Sequence, residues 1–329
     1  MNWSLHVNHR LLFGVVLSGF IFLTVIIGIG PALWVQNHNS PLPGSRALTE
    51  QESRGLTVYI AEGCLYCHTQ QVRPLAQDKP FGRPSAPGDY ARLAPLDIWR
   101  MTPALLGTER TGPDLINVAN RQPSDTWNYI HLYNPRTVVK DSVMQAYPWL
   151  FEVKSNPSPG DVIVPVPPAY APKKGKVVAT QKARDLVAYL LSLKQVVISV
   201  GETAGEQKAA PGVNQTESAQ GAAIYASLCA SCHQPNGEGL PGTFPALKGD
   251  PVVNDRDAMR HVETVLFGLQ GLAINGAKYA APMPSFADKL SDTEVAAVVN
   301  HERTSWGNHA PMVSSEDVTK IRKQKKQKD

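Results

Sequence analysis

The pattern of hydrophobic and polar positions shows one long apolar run near the N-terminus. Residues 11–35 contain no charged side chain. A helix of this length rises about 37 Å, more than the ~30 Å hydrocarbon core of a bilayer, so it can cross a membrane with some tilt. The apolar core of a cleaved signal peptide is shorter and ends at a small-residue site, which this run lacks. The pattern therefore favours a retained transmembrane anchor over residues 11–35, after a short cytoplasmic segment, residues 1–10.

Beyond the anchor, helical periodicity marks two further units. In the first, four apolar side chains share one helix face and predict a closing helix that crosses the first helix of its domain: Leu186, Tyr189, Leu190 and Leu193. In the second, Ser291 and Glu294 form a capping-box pattern that predicts another closing helix. Residues 196–217 have the composition of a linker. We therefore predict a mainly α protein with domains at residues 45–195 and 218–312.

Two segments depart from this helical pattern. Residues 152–180 are rich in Pro and Val, which predicts an extended loop or hairpin on the surface rather than part of the core. Residues 313–329 form a basic tail. The net charge of +4 lies mostly after Thr319, where six Lys and Arg face one Asp, a local +5, so the rest of the chain is close to neutral. This distribution gives no indication of nucleic-acid binding. We expect a solvated, disordered tail, with contact to anionic lipid or a partner as the alternative.

All four cysteines lie in two five-residue motifs, residues 64–68 (CLYCH) and 229–233 (CASCH). In each motif, two thiols three residues apart can add to the two vinyl groups of one haem, and the adjacent histidine faces the iron. We therefore predict two covalently bound haem c groups, attached through Cys64 and Cys67 and through Cys229 and Cys232. The candidate iron ligands in these motifs are His68 and His233.

Three other uses of paired cysteines fit less well. The pairs of a zinc ribbon normally lie about 15–20 residues apart, much closer than these two pairs. A thioredoxin-like redox pair needs a surrounding βαβ pattern, which neither motif has. Two structural disulfides would not require a histidine after each pair. The haem interpretation is the one that accounts for both histidines.

A glycine and a tyrosine precede each haem motif at nearly the same spacing: Gly55 and Tyr59, then Gly221 and Tyr225. The glycine permits a close helix crossing, and the aromatic ring belongs on the packed face. Later in each domain a proline, Pro113 or Pro245, is expected to offer its carbonyl to the free ring nitrogen of the histidine and fix its tautomer. Each proline could instead be an ordinary turn residue.

The second iron ligand in each domain is predicted from order along the chain. Met144 follows the Pro113 loop, and Met283 lies in a proline-flanked loop that holds the backbone rigid. We therefore expect the pairs His68/Met144 and His233/Met283, with His131 and His261 as alternative ligands. Histidine–methionine ligation fills both axial positions and raises the reduction potential, which is typical of electron carriers.

Three arginines are candidates to pair with haem propionates, because a guanidinium group binds a carboxylate with two hydrogen bonds: Arg110, Arg121 and Arg136. Surface salt bridges are the alternative use of these side chains. We find no nucleophile–base set, phosphate loop or metal-hydrolase motif, so no catalytic residue is assigned.

Residues from about 45 to 150 resemble the mono-haem, single-anchor O subunit (FixO type) of the cbb-type haem–copper cytochrome c oxidases. The match lies in five segments: residues 62–68, 71–74, 110–115, 131–136 and 144–150. This resemblance implies that His68 and Met144 are the axial pair. It also implies that the anchor packs on a large membrane subunit holding the oxygen-reducing haem–copper centre.

Residues 218–312 look like a generic class I cytochrome c, with Arg303–Asn308 (RTSWGN) similar to a recurring ending of that domain. This second domain departs from the family pattern, because the O subunit usually ends after one haem domain and a separate dihaem P subunit supplies further haems.

We therefore expect a dihaem electron-transfer subunit of a membrane-bound oxidase. The donor would be a cytochrome c or a quinol-oxidising complex. The single-pass chain would lie in the bacterial inner membrane with its haem domains in the periplasm, because haem is attached outside the cytoplasm. A freestanding dihaem carrier serving a dehydrogenase or reductase is the first alternative, and a dihaem peroxidase is the second.

Overall fold

The computed structural model describes residues 7–38, 46–90, 106–107, 109–196, 217–270, 273–274, 277–279 and 281–326. Nearly all of the predicted linker, residues 197–216, lies outside the described residues, as do residues 1–6 of the predicted cytoplasmic segment.

The N-terminal apolar run is helical throughout. It comprises α1 (His9–Leu23), one π-helical stretch (Thr24–Ile29) and α2 (Gly30–His38). The π-helical stretch ends next to Pro31, whose missing N–H and bulky ring disfavour regular α-helical hydrogen bonds. Residues His9–Trp34 have a mean hydropathy of 2.7, and none of this stretch is buried by the rest of the protein. Its length and composition suit a membrane anchor.

Domain one is built around the crossing of its first and last helices. Gly55 on the first helix lies against the last helix, where an added Cβ would come within 1.9 Å of the carbonyl oxygen of Asp185. The glycine therefore permits the close crossing that the sequence predicted. The helices of this domain are α3 (Glu50–Ala61), α4 (Val118–Arg121), α5 (Asp125–Tyr133) and α6 (Gln181–Ser192). Short 3₁₀ helices lie at Cys64–Tyr66, Ala76–Phe81, Pro87–Asp89, Pro135–Thr137 and Pro148–Leu150.

The Pro/Val-rich segment is extended and mostly at the surface, as expected, but its strands also contribute buried side chains to the core, which the sequence did not predict. It forms a three-stranded antiparallel sheet in the order β1-β3-β2, with β1 at Phe151–Lys154, β2 at Ile163–Val164 and β3 at Lys176–Ala179. Val164 and Val177 are almost fully buried in the hydrophobic cluster of domain one. The prolines lie between the strands, where they cost no ladder hydrogen bond.

Domain two repeats the same crossing. An added Cβ on Gly221 would come within 2.1 Å of the carbonyl oxygen of Ala297 on the closing helix. Ser291 and Glu294 form the predicted capping box at the start of that helix. The elements are α7 (Glu217–Ile224), a π-helical stretch (Tyr225–Cys229), α8 (Ala230–His233), α9 (Met259–Phe267), β4 (Ala273–Ile274), β5 (Ala277–Lys278) and α10 (Asp292–Thr304).

The basic tail forms a helix, α11 (Ser315–Lys326), and the expectation of a disordered end is wrong for these residues. Val318 and Ile321 lie one turn apart and are buried in the hydrophobic cluster of domain two. Arg322 donates a 2.6 Å hydrogen bond to Asp292 at the start of α10. The many lysines predict a solvated segment, whereas the burial of Val318 and Ile321 holds this helix against domain two. Domain two therefore extends past residue 312, to residue 326 at least.

The two domains pack against each other. Phe244 of domain two is 5% exposed and belongs to the hydrophobic cluster of domain one. Thr243 donates a 3.0 Å hydrogen bond to the carbonyl oxygen of Pro165, which follows β2. The indole N–H of Trp127 on α5 donates a 2.9 Å hydrogen bond to the carbonyl oxygen of Ser231, inside the second haem motif. Domain two is thus docked on domain one.

Candidate haem-binding sites

The first site is organised around the ring of His68. Its Nδ1 lies 2.8 Å from the carbonyl oxygen of Pro113, the contact predicted from the order of the residues. This bond places the hydrogen on Nδ1 and leaves the lone pair of Nε2 available for a metal. Gly112 lies directly against the ring, because an added Cβ would come within 2.2 Å of its Cε1 atom. Burial lowers the pKa of His68, with the Pro113 carbonyl acting in the opposite direction.

Asp114 also holds this site together, a role that was not predicted from the sequence. Its side chain is completely buried and accepts hydrogen bonds from the hydroxyl of Thr69 (2.6 Å) and the backbone N–H groups of Gln71 (2.7 Å) and Ile116 (2.9 Å). These bonds join the segment after the haem motif to the Pro113 loop. A carboxylate that directly follows the predicted proline was the available signal in the sequence.

Met144 lies half-buried on the loop after α5 and packs against the same hydrophobic cluster as Cys64. The loop is fixed from two sides. The guanidinium group of Arg136 donates a 3.3 Å hydrogen bond to the carbonyl oxygen of Met144. The backbone N–H of Tyr147 donates a 2.9 Å hydrogen bond to the carbonyl oxygen of Leu132 on α5. The structure therefore gives Arg136 a role in holding the methionine loop.

All four cysteines carry free thiols, so the structure contains no disulfide of the kind weighed as an alternative. Burial raises the pKa of Cys64 and of Cys232 to about 12. Burial also raises the pKa of Cys229 well above its usual value. Among the described residues, no group of three or more His, Cys, Asp or Glu side chains is placed to hold a metal ion.

The second site repeats the histidine–proline geometry. The Nδ1 of His233 lies 2.9 Å from the carbonyl oxygen of Pro245. Gly239 sits between the two segments with a φ of +63°, and an added Cβ would come within 2.4 Å of the Pro245 carbonyl oxygen. Both the backbone conformation and the close approach require glycine here.

One cavity of domain two brings together the residues predicted for its haem: Cys229, Cys232, His233, Pro245 and Met283. The backbone of Met283 is held by two hydrogen bonds with Leu269, of 2.9 and 3.1 Å. The cavity wall also includes three residues of domain one that immediately precede α5: Gln122, Pro123 and Ser124.

The two alternative histidine ligands occupy different surroundings. His261 is buried, and its Nε2 lies 2.7 Å from a carboxylate oxygen of Glu302 at the edge of the second cavity. His131 stacks on Trp127, with ring centroids 4.5 Å apart. Burial, and secondly the nearby His68, lower the pKa of His131 to about 4. Its Nδ1 is buried and has no hydrogen-bond partner among the described residues.

The arginines proposed for propionates are held by the protein in different ways. Arg110 pairs with Asp78 and lies 3.7 Å from Asp114, as expected for the salt-bridge alternative. Arg121 donates to the carbonyl oxygen of Asp114, while its buried Nε has no partner within the described part of the chain. Burial lowers the pKa of Arg121.

These residues fit a haem c group at both sites. Each motif supplies two thiols and one histidine whose Nδ1 is already bonded, and the second cavity also contains a methionine. Near His68, the unpartnered Nε of Arg121 and Nδ1 of His131 are buried polar atoms that a bound carboxylate could satisfy.

Comparison with known proteins finds two family matches along the chain. Residues 5–160 match the family of mono-haem FixO subunits of cytochrome c oxidase, and residues 218–306 match the cytochrome c family. The chain is 41% identical over 116 residues to cytochrome c-552 of Thermus thermophilus, covering 32% of this chain and 87% of that protein.

Dehydrogenase subunits also share a similar stretch. The chain is 44% identical over 103 residues to the cytochrome c subunit of the quinone alcohol dehydrogenase of Gluconobacter oxydans, covering 31% of this chain and 22% of that protein. It is 37% identical over 109 residues to the gluconate 2-dehydrogenase cytochrome c subunit of Pantoea cypripedii, covering 32% of this chain and 25% of that protein. The chain therefore belongs to the cytochrome c proteins, joining a FixO-type domain of the cytochrome c oxidases to a second cytochrome c domain.

Proposed function

We propose that this chain is the dihaem electron-transfer subunit of a membrane-bound cbb-type cytochrome c oxidase. One haem c would be attached through Cys64 and Cys67, and a second through Cys229 and Cys232. The observation that carries this proposal is the repeated geometry in which a haem-motif histidine binds a proline carbonyl, at 2.8 Å in one domain and 2.9 Å in the other.

The side chains of the protein would hold each group as follows. His68 and His233 would bind the iron through Nε2, since their Nδ1 atoms are bonded to the carbonyl oxygens of Pro113 and Pro245. Met144 and Met283 would each supply a second protein ligand from loops that hydrogen bonds hold in place. Haem bound in this way supplies a one-electron redox centre of high potential.

Near the first site, Arg121 and His131 have buried polar atoms available for a propionate, and we assign them to that group. Arg110 is already paired with Asp78, so we assign it a role in stabilising the loop that contains Asp114. Arg136 acts through its bond to the Met144 carbonyl oxygen.

The membrane partner would be the catalytic haem–copper subunit of the oxidase, as the FixO match supports. We place the haem domains in the periplasm and the residues before α1 in the cytoplasm. Electrons would enter at domain two from a cytochrome c or a quinol-oxidising complex and pass to domain one. This order follows from anchoring, because domain one follows the membrane helix directly.

A second candidate is a membrane-anchored dihaem carrier that serves a dehydrogenase. The similarity to the cytochrome c subunits of alcohol and gluconate dehydrogenases favours it. A dihaem peroxidase is the third candidate. It requires one iron with a displaceable ligand, and it would turn over peroxide after partial reduction.

Purification of the full chain from its native membrane in mild detergent separates these candidates. We expect a haem–copper subunit to co-purify, with oxygen uptake supported by reduced cytochrome c. Isolation with a dehydrogenase, or alone, would contradict the oxidase assignment and support the carrier. Peroxide turnover without oxygen uptake would support the peroxidase.

A further inference from the structure

Helix α5 connects the two candidate haem sites. At its beginning, the N-cap residue Ser124 lines the cavity of the second site. Near its end, the carbonyl oxygen of Leu132, the residue after His131, accepts a 2.9 Å hydrogen bond from the backbone N–H of Tyr147 on the Met144 loop of the first site. Ser124 and Leu132 are about 12 Å apart along the axis at the rise of an α-helix. One short element of domain one therefore reaches both sites.

Trp127 lies between these positions and contacts both sides. Its indole ring stacks on His131, with centroids 4.5 Å apart and an interplanar angle of 13°. Its Nε1–H donates a 2.9 Å hydrogen bond to the carbonyl oxygen of Ser231, a residue of the second haem motif. Ser231 directly precedes Cys232, which lines the cavity of domain two. Stacking and a hydrogen bond thus form a continuous series of contacts from His131 to Cys232.

The position of Trp127 does not follow from packing within domain one alone. Its ring is half-buried against the cluster of domain one, while its polar atom faces domain two. Apolar contacts of Phe244 and the bond from Thr243 to Pro165 hold the same interface closed. An indole in such a place supplies a rigid ring and one hydrogen-bond donor at low entropic cost.

We infer that Trp127 is the positioning residue that couples the two redox sites, holding the second haem motif against α5 and linking it to His131. This inference rests on the proposed function, because it requires a haem in each domain. With a haem bound in each domain, the coupled step would be the transfer of one electron from a ferrous centre in domain two to a ferric centre in domain one. No bond forms or breaks, no proton moves, and Trp127 keeps its oxidation state.

Two substitutions separate the ring from its donor. Trp127→Phe keeps an aromatic ring for stacking but loses the N–H, whereas Trp127→Gln keeps a donor but loses the ring. Trp149→Phe is the matched control, because Trp149 is exposed and its indole donates a 2.9 Å hydrogen bond to Glu62, within domain one. It tests the loss of an indole hydrogen bond away from the domain interface.

The experiment uses the full, haem-loaded chain in detergent without any partner. A light-activated one-electron reductant delivers an electron, and the absorbance of the two haems reports its redistribution. We expect Trp127→Phe to slow this redistribution by about fivefold, the factor that corresponds to one lost hydrogen bond. Trp127→Gln should also slow it, because the stacking on His131 is lost. Trp149→Phe should behave as the unsubstituted protein. Equal rates in all four proteins would overturn the inference.

Two further measurements distinguish positioning from general damage. The reduction potentials and the near-infrared sulfur–iron bands of both haems should be unchanged in Trp127→Phe, and a shift in either would overturn a positioning role. Hydrogen exchange in peptides covering residues 122–131 and 229–245 should increase in Trp127→Phe, since the interface opens more often. Unchanged exchange would also contradict the inference. The number of haems per chain is measured separately. One haem per chain would reject the two-haem proposal itself, whatever the Trp127 variants show.

Discussion

The hydroxyl of Tyr225 donates a 2.7 Å hydrogen bond to the carbonyl oxygen of Gln234, the residue after the second candidate histidine ligand. In domain one, the hydroxyl of Tyr59 lies 3.4 Å from the carbonyl oxygen of His68. Both tyrosines are buried on the first helix of their domain. Each therefore ties the beginning of its domain to the end of the haem motif, at its last residue in domain one and at the next residue in domain two.

Because the two bonds differ in length, removal of the hydroxyls should have unequal effects. We expect Tyr225→Phe to lower the free energy of unfolding by about 1–2 kcal/mol, since a net hydrogen bond is lost and its partly buried acceptor loses this partner. Tyr59→Phe should cost less, because its bond lies near the outer distance limit. Chemical denaturation followed by haem absorbance measures both, with the exposed Tyr66→Phe as the control. A larger loss from Tyr59→Phe would contradict this expectation.

Gly112 is required by the position of the His68 ring. In Gly112→Ala the new Cβ would overlap the ring, so the ring must rotate and weaken its bond to Pro113. We expect loss or displacement of the histidine–methionine spectrum of the first haem, with the second haem unaffected. Thr111→Ala changes an exposed neighbour and should leave both spectra intact. A normal near-infrared band in Gly112→Ala would show that the ring tolerates the added carbon.

Asp78 makes the stability of domain one sensitive to acid. Hydrogen bonds from Arg73, and secondly from Arg110, hold the pKa of Asp78 well below its usual value. Its ionised form therefore stabilises the fold above the unfolded pKa of about 3.9, and this contribution is lost as the pH falls through the lower folded-state pKa. Asp78→Asn should lower stability at pH 7 and reduce the further loss on acidification. Denaturation at pH 7 and below pH 4 measures this, with the exposed Asp141→Asn as control.

The C-terminal helix contributes to the stability of domain two through its apolar side. Val318 is fully buried, so Val318→Ala should lower the free energy of unfolding by about 2 kcal/mol through lost burial and a cavity. Val318→Asp should detach the helix and cost more, because a buried carboxylate would have to be desolvated. Lys320→Ala on the exposed side is the control. If Val318→Asp and Lys320→Ala were equally stable, the helix would not contribute to the domain.

Much of the backbone geometry at each candidate haem site could be predicted from local sequence. The motif spacing, the glycine before it and the proline after it each specify a local backbone requirement, so Gly55 and Pro113 lie where they were expected. The Pro/Val-rich sheet was missed because its alternation is short and interrupted by prolines. The contact between Trp127 and Ser231 could not be predicted, because it depends on how two separately patterned domains pack together.

Because Gln122, Pro123 and Ser124 form part of the cavity wall of domain two, the dielectric surroundings of the proposed second redox centre are set by both domains. Excision of residues 218–329 as an isolated fragment would replace that wall with water. Greater solvent exposure stabilises the more highly charged ferric state and so lowers the reduction potential. The driving force between the two centres is consequently a property of their association, and a potential measured on the separate fragment would underestimate that of the second centre in the intact protein.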